Sequence, residues 1–281
     1  MAEAGTGEAN GRQGQPSMSD EDIEASRAPL ITHLIELRQR LIWSLLGLAV
    51  AMTACFFVAG DIFNLLLIPY ERASGEASDL KLIFTAPQEF FFTKLKIALF
   101  GGICIAFPVI ATQLYRFVAP GLYRNERSAF LPYIIATPVL FILGGSVVYF
   151  IIMPLAMQFF IGMQQAPGEG RVAIELLPRV SEYLGLIMTL ILAFGFCFQL
   201  PVVLTLMARV GLTSSQGLKE KRKYAVVGVF AVAAFLTPPD LISQVGLAIP
   251  TLLLYEVAIF SVRMVEKKDA EARAAREAES G

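Results

Sequence analysis

Residues 128–168 carry no charged side chain over 41 consecutive positions. A membrane-spanning helix needs only about 20 apolar residues, so this stretch is longer than one span requires. We expect Pro154 to end a membrane helix and residues 155–165 to lie along the membrane interface. Hydrophobic residues make up 56% of the 281-residue chain, above the roughly 45–50% of soluble domains. The sequence therefore predicts an all-α, polytopic membrane protein.

Six apolar runs predict six membrane spans, and the last two are short. The runs cover residues 41–59, 95–117, 131–153, 183–209, 223–236 and 243–262. The uncharged residues 224–239 reach only about 24 Å as a helix, against a bilayer core of about 30 Å. Proline-kinked helices give a curved bundle, so we expect a cupped six-transmembrane-helix bundle with two short C-terminal spans.

Composition divides the chain into three parts. Residues 1–28 are rich in Gly, Ala, Glu and Ser and contain no aromatic residue, which predicts a disordered leader. Residues 29–265 form the membrane domain, which begins with an amphipathic helix at 29–40 that lies on the membrane surface. Residues 266–281 form a tail. Seventeen Lys and Arg residues fall on the side of both termini and six on the other, which predicts that both termini are cytoplasmic.

Several classes of function are disfavoured by what the sequence contains. His33 is the only histidine, so neither a histidine metal site nor a catalytic triad is expected. The phosphate-binding pattern GxxxxGK[ST] does not occur, so ATP hydrolysis is not expected. We predict a protein that is not an enzyme and that binds no cofactor, metal or nucleic acid. If it transports cargo, the energy comes from a proton gradient or a partner ATPase.

Three separated segments carry the most specific patterns. They are residues 33–41 (HLIELRQRL), residues 117–127 (FVAPGLYRNER) and residues 237–250, which contain TPPD, SQ and AIP. Together they closely resemble the TatC family, the six-span subunits of the twin-arginine protein translocase, over about residues 29–265. This resemblance implies a receptor for twin-arginine signal peptides that helps to pass folded proteins across the cytoplasmic (inner) membrane.

The resemblance also implies partners and a source of energy. Members of this family use the proton-motive force and assemble with single-span subunits of the TatA or TatB type, so homo- and hetero-oligomers within the lipid bilayer are expected. An alternative is a secondary transporter for a small solute. Many such transporters are built from two similar halves, whereas the two halves of this chain differ in their span pattern.

Two glutamates are the candidate ligands for the arginines of a signal peptide. Glu36 and Glu126 are both predicted at the cytoplasmic face among basic residues, and a carboxylate can bind a guanidinium through two hydrogen bonds. Alternatively, Glu36 only pairs with Arg40 one helical turn later, an interaction worth about 0.3–0.5 kcal/mol. The resemblance implies that both glutamates bind the signal arginines, and Arg38 and Phe117 are assigned to the same signal-peptide-binding site.

Gln199 is a polar residue near the middle of the fourth predicted span. A polar side chain at this depth needs a hydrogen-bond partner or a wet cavity, and a bond between two helices of the same chain would suffice. The resemblance implies a contact with a polar residue of a partner helix. Glutamate is frequent at this position in the family, so glutamine is a departure that removes a charge.

Two further residues are assigned to the outer side of the membrane. Pro69 lies in the segment between the first two spans, which we expect to form an outer cap, and Asp240 lies at the bend of the short hairpin. Asp240 can also cap the sixth helix, a common use of aspartate. Glu256, near the cytoplasmic end of the sixth span, is predicted to be structural and to pair with a basic residue such as Lys223 or Arg263.

Overall fold

The computed structural model describes residues 20–75, 81–118, 131–165, 168, 172–236 and 241–280. The helices within these ranges are α1 (Asp20–Phe57), α2 (Ala59–Ser74), α3 (Glu89–Val118), α4 (Leu131–Val147), α5 (Met153–Ile161), α6 (Val180–Cys197), α7 (Leu200–Arg209), α8 (Ser215–Glu220), α9 (Arg222–Leu236) and α10 (Leu241–Ser280). The described ranges contain isolated bridges, among them Ile83 with Arg179 and Gln165 with Ile174. The predicted all-α class is confirmed.

Five stretches of helix are long and apolar enough to cross a membrane. They are Leu34–Phe57, Glu89–Phe117, Pro132–Ile161, Val180–Arg209 and Ser243–Ala272, and they confirm the prediction of a polytopic membrane protein. The remaining predicted span corresponds to α9, which has 15 residues and reaches about 22 Å. The bend between α9 and α10, residues 237–240 with Asp240, lies outside the described residues.

The first span differs from the prediction because α1 is one uninterrupted helix from Asp20 to Phe57. Residues 29–40 therefore belong to the same helix as the first span, and their position on the membrane surface stays a prediction. Residues 30–46 contain neither glycine nor proline, the residues that most often end a helix, so the helix propagates through them. Residues 20–28, which the composition assigned to a disordered leader, are its first turns. Residues 1–19 lie outside the described part.

The third span also differs, because Pro154 does not end it. The helix passes from α4 through a π-helical turn, Val148–Ile152, directly into α5. The N–H of Met153 donates to the carbonyl of Val148, five residues earlier. Proline lacks an N–H and clashes with the carbonyl four residues before it, and a π turn is a common way to absorb such a disruption. Residues 155–161, predicted at the interface, therefore continue the span.

Proline has a different effect in α2, the helix that forms most of the segment after the first span. Pro69 lies inside α2 and is buried, so the carbonyl of Leu65, four residues earlier, has no helical N–H donor. The hydroxyl of Tyr149 donates to this carbonyl at 2.7 Å, and the hydroxyl of Tyr183 donates to the carbonyl of Leu66 at 2.8 Å. Two tyrosines from the third and fourth spans therefore hold α2 at its proline.

The fourth span is the centre of the bundle and the first span is at its edge. Within its most apolar stretch, the fourth span (Val180–Arg209) has 56% of its residues buried. The corresponding stretch of the first span (Leu34–Phe57) has only 11% buried. The main cluster of buried residues is built around Leu184, Ile187 and Phe194. A short turn at residues 198–199 separates α6 from α7, and Pro201 lies in the first turn of α7.

Glycines of the pairs Gly101–Gly102 and Gly144–Gly145 lie where two helices are in close contact. A Cβ atom at Gly102 would come within 2.8 Å of the backbone of Met52 in α1. A Cβ atom at Gly144 would come within 2.6 Å of the carbonyl oxygen of Phe194. Small residues allow such backbone contacts between membrane helices.

Candidate functional site

Glu36 lies on a polar face of α1. Its carboxylate accepts a hydrogen bond from the guanidinium of Arg40, with Nη2 and Oε1 separated by 2.8 Å. The two side chains are 31% and 27% exposed, so the pair is neither buried nor fully screened by solvent. The pairing with Arg40 that the sequence left open as an alternative is therefore present in the structure.

The Glu36–Arg40 pair forms one wall of a polar cavity between α1 and α3. The cavity has a volume of about 450 Å³ and is lined by Glu36, Gln39, Arg40, Trp43, Gln113 and Arg116. The guanidinium of Arg40 also lies 3.4 Å from Oε1 of Gln113, and this contact links α1 to α3. We name this space the α1–α3 cavity. Its lining provides one carboxylate, two guanidinium groups, two amides and an indole ring.

Glu36 was predicted from the sequence, but the other residues that line the α1–α3 cavity were not predicted as a group. The four residues from α1 occupy positions i, i+3, i+4 and i+7, which share one face of a helix. The two residues from α3 are three positions apart and also share a face. A search for polar residues at helical spacing at the ends of the spans would have found both sets. Their proximity depends on how α1 packs against α3.

Of the other residues assigned to the signal-peptide site, only two lie within the described ranges. Arg38 is exposed and follows Glu36 by two positions, or roughly 200° around the helix, so it does not line the α1–α3 cavity. Phe117 is partly buried at the end of α3, next to Arg116 of the cavity. Glu126 lies outside the described residues, so the convergence of the two glutamates stays a prediction.

Gln199 sits at the break between α6 and α7 and is only 8% exposed. Its Nε2 donates to the carbonyl of Thr137 in α4 at 3.0 Å and to that of Gly195 at 3.3 Å. The side chain of Thr137 in turn shares a 2.6 Å hydrogen bond with the hydroxyl of Tyr115 in α3. The buried Oε1 of Gln199 has no hydrogen-bond partner among the described residues. The amide thus joins two helices of this chain, and the contact with a partner helix stays a prediction.

A second polar junction, which the sequence analysis did not identify, lies at the opposite end of α3. The carboxylate of Glu89, whose side chain is 8% exposed, lies 3.5 Å from the guanidinium of Arg179. It accepts hydrogen bonds from the Oγ of Ser181 at 2.6 Å and the N–H of Thr85 at 2.9 Å. The backbone near Ile83 also pairs with the backbone near Arg179. Glu89 therefore fastens the start of α3 to the start of α6.

The remaining polar contacts hold α8, α9 and α10 together. Glu256 pairs with Arg222 at 2.6 Å, and not with the Lys223 or Arg263 that the sequence suggested. The carboxylate of Glu266 accepts a hydrogen bond from the backbone N–H of Ser215 at 2.8 Å. The hydroxyl of Tyr255 donates to the carbonyl of Leu218 at 2.8 Å. These contacts agree with a structural role for Glu256.

Both the sequence and the fold of the chain are similar to those of known proteins. The family profile described as "Sec-independent protein translocase protein (TatC)" matches residues 32–250. The chain is 46% identical to the TatC protein of Magnetococcus marinus, with 92% of each chain covered. It is 37% identical to the TatC protein of Escherichia coli strain K12, with 88% of this chain and 91% of that protein covered.

The fold is also similar to a crystal structure described as the twin-arginine translocase receptor TatC. The TM-score is 0.71 and the sequences are 36% identical, over 83% of this chain and 98% of the other. The resemblance identified from three sequence motifs is thus confirmed. The chain belongs to the TatC family of Sec-independent, twin-arginine protein translocase components.

Proposed function

We propose that the chain is the signal-peptide receptor of a twin-arginine translocase, and that Glu36 and Glu126 hold the two arginines of the signal. The observation that carries this proposal is the half-buried carboxylate of Glu36 in the polar α1–α3 cavity. A carboxylate is the natural partner of a guanidinium. Partial removal from water strengthens such a pair because the local dielectric constant is lower.

The contacts inside the α1–α3 cavity support this chemistry. The cavity already accommodates one guanidinium, that of Arg40, against a carboxylate and an amide oxygen. Trp43 adds an aromatic face, on which a guanidinium or an apolar side chain of a peptide can rest. A site with these groups suits an arginine-containing peptide at a membrane surface better than a small apolar solute.

The proposal includes the location and the partners of the protein. The distribution of Lys and Arg along the chain favours an inner-membrane protein with both termini in the cytoplasm. The α1–α3 cavity then opens on the side where signal peptides are presented. Single-span subunits of the TatA or TatB type bind beside Gln199, and the proton-motive force supplies the energy for transport of folded cargo.

Export of a folded reporter with a twin-arginine signal tests the receptor site. Loss of a charge-assisted hydrogen bond costs about 1.5–3 kcal/mol, so Glu36→Ala and Glu126→Ala should each lower export by about tenfold or more. Glu71→Ala is the matched control, because Glu71 is an exposed carboxylate on α2, away from the cavity. Membrane insertion of every variant is verified by immunoblot. Wild-type export in a Glu36→Ala/Glu126→Ala double variant would refute the proposal.

A further inference from the structure

We propose that Arg40 is a resident counter-ion of Glu36, which occupies the receptor carboxylate in the empty protein and leaves it when a signal arginine binds. Binding of the peptide is then an exchange of one guanidinium for another. This inference rests on the proposed function of Glu36 as a ligand of the signal peptide. It adds a residue that sets the affinity of that site.

The contacts of Arg40 support a resident position. Its Nη2 lies 2.8 Å from Oε1 of Glu36 and its Nη1 lies 3.4 Å from Oε1 of Gln113. One guanidinium thus spans the gap between α1 and α3. Gln113 restricts the rotamers of Arg40 and keeps its guanidinium near Glu36. The pair is therefore more persistent than an exposed pair on a single helix, which is worth only about 0.3–0.5 kcal/mol.

The charge in the α1–α3 cavity favours exchange over simple addition. Among the described residues of the lining, Glu36 is the only acidic group, whereas Arg40 and Arg116 are both cationic. A third guanidinium beside these three groups would raise their summed charge from +1 to +2. Like charges a few ångströms apart repel strongly where water is partly excluded. Departure of Arg40 from Glu36 relieves that repulsion and gives the incoming arginine access to the whole carboxylate.

An exchange mechanism lowers the apparent affinity for every peptide. The observed dissociation constant equals the intrinsic constant divided by the fraction of receptors with an accessible carboxylate. A resident pair worth about 0.5–1 kcal/mol would reduce this affinity by about three- to sixfold. Peptides whose signal binds weakly then have too low an affinity to be retained by the receptor. A paired-arginine signal, which also binds Glu126, keeps enough affinity.

Equilibrium binding of a fluorescent twin-arginine peptide to the full-length protein in detergent tests the exchange. Arg40→Gln should bind the peptide about three- to sixfold more tightly than wild type. Arg116→Gln is the matched control, because it removes the same charge from the same cavity without a bond to Glu36. Gln113→Met changes no charge and should tighten binding about twofold, since it releases Arg40 from α3. If Arg40→Gln fails to fold, the affinity of Gln113→Met for the peptide tests the exchange instead.

The double variant Glu36→Gln/Arg40→Gln separates this inference from the proposed function. Glu36→Gln alone should weaken binding, and adding Arg40→Gln should then tighten binding no more than adding Arg116→Gln does, because the resident pair no longer exists. If Glu36→Gln binds like wild type, the proposed receptor site is wrong. If Glu36→Gln weakens binding but Arg40→Gln and Gln113→Met bind no more tightly than Arg116→Gln, the resident role of Arg40 is wrong and the receptor site stands.

Discussion

The side-chain amide of Gln199 donates to the backbone carbonyl of Thr137, 3.0 Å away, and so ties the break between α6 and α7 to the middle of α4. A break in a helix leaves some backbone N–H and C=O groups without the hydrogen-bond partners that a continuous helix would provide. A polar side chain at the break can join it to a neighbouring helix inside the membrane. Gln199 also retains a buried acceptor, Oε1, with no partner in the described part of the chain. Because this acceptor is buried, a donor from a partner helix would reach it only after the side chains that cover it move.

Substitution of Gln199 should separate partner binding from peptide binding. Gln199→Leu removes the amide and should lower the stability in detergent by up to about 1 kcal/mol. Crosslinking to a single-span partner should weaken, whereas binding of the signal peptide should not change. Gln216→Leu is the control, because Gln216 is exposed and bonds only to Glu220. Loss of peptide binding with normal partner crosslinking would place Gln199 in the receptor site or in folding.

The hydroxyl of Tyr149 should matter because of Pro69. Tyr149→Phe leaves the carbonyl of Leu65 without a donor and should cost about 1 kcal/mol of stability. Pro69→Ala restores an N–H at position 69, so Tyr149→Phe should cost much less in that background. Chemical unfolding of wild type, the two single variants and the double variant measures the coupling free energy between Tyr149 and Pro69. Tyr224→Phe is the control, because Tyr224 is exposed. Equal costs of Tyr149→Phe in both backgrounds would show that Pro69 and Tyr149 are independent.

Glu89 should be essential to the junction between α3 and α6. Glu89→Ala removes the acceptor of Ser181 and Thr85 together with the partner of Arg179. The melting temperature of Glu89→Ala should fall well below that of the control variant Glu182→Ala. Glu182 also pairs with Arg179, but its side chain is 67% exposed. A thermal-shift assay in detergent compares the two variants. Equal melting temperatures would mean that the Glu89 contacts add nothing beyond a surface ion pair.

The short helix α9 should thin the bilayer around it. Its 15 residues reach about 22 Å, against a bilayer core of about 30 Å, and mismatch costs fractions of a kcal/mol per Å. Four leucines inserted before Thr237 add about 6 Å and should impair transport without abolishing peptide binding. The same insertion after Ala275, in the exposed tail, is the control.

Spin labels at positions 236 and 240 measure the depth of the bend directly. Labels at the depth of a normal outer interface, surrounded by lipid of normal thickness, would show that α9 does not thin the membrane. Labels in a locally thin region would agree with the length of α9. The extended variant should then return the labels to normal depth.

The sequence predicted the spans well because their signal is local. Uncharged runs bounded by charged residues place the fourth span, Val180–Arg209, and α9 close to their observed bounds. The effect of each proline was less predictable. Pro154 is absorbed by a π turn and Pro69 by the hydroxyl of Tyr149, and these solutions depend on neighbouring turns and helices that a local pattern does not contain.

The candidate site was predicted only in part, for a similar reason. Glu36 and its alternative partner Arg40 lie on one helix, so helical spacing identified both. Gln113 and Arg116 come from α3 and line the same cavity as Glu36 because α3 packs against α1, for example at Gly102. Sequence spacing within one helix carries no information about which faces of two helices meet.

Discrimination between arginine and lysine signals is the most direct test of the receptor. The dissociation constants of twin-arginine and twin-lysine peptides are measured for wild type and for Glu36→Gln in lipid nanodiscs. We predict that wild type prefers the arginine peptide by about tenfold or more, since only a guanidinium binds a carboxylate through two parallel hydrogen bonds, and that Glu36→Gln loses most of this preference. An undiminished preference in Glu36→Gln would contradict the assignment of Glu36 as a ligand of the signal arginines.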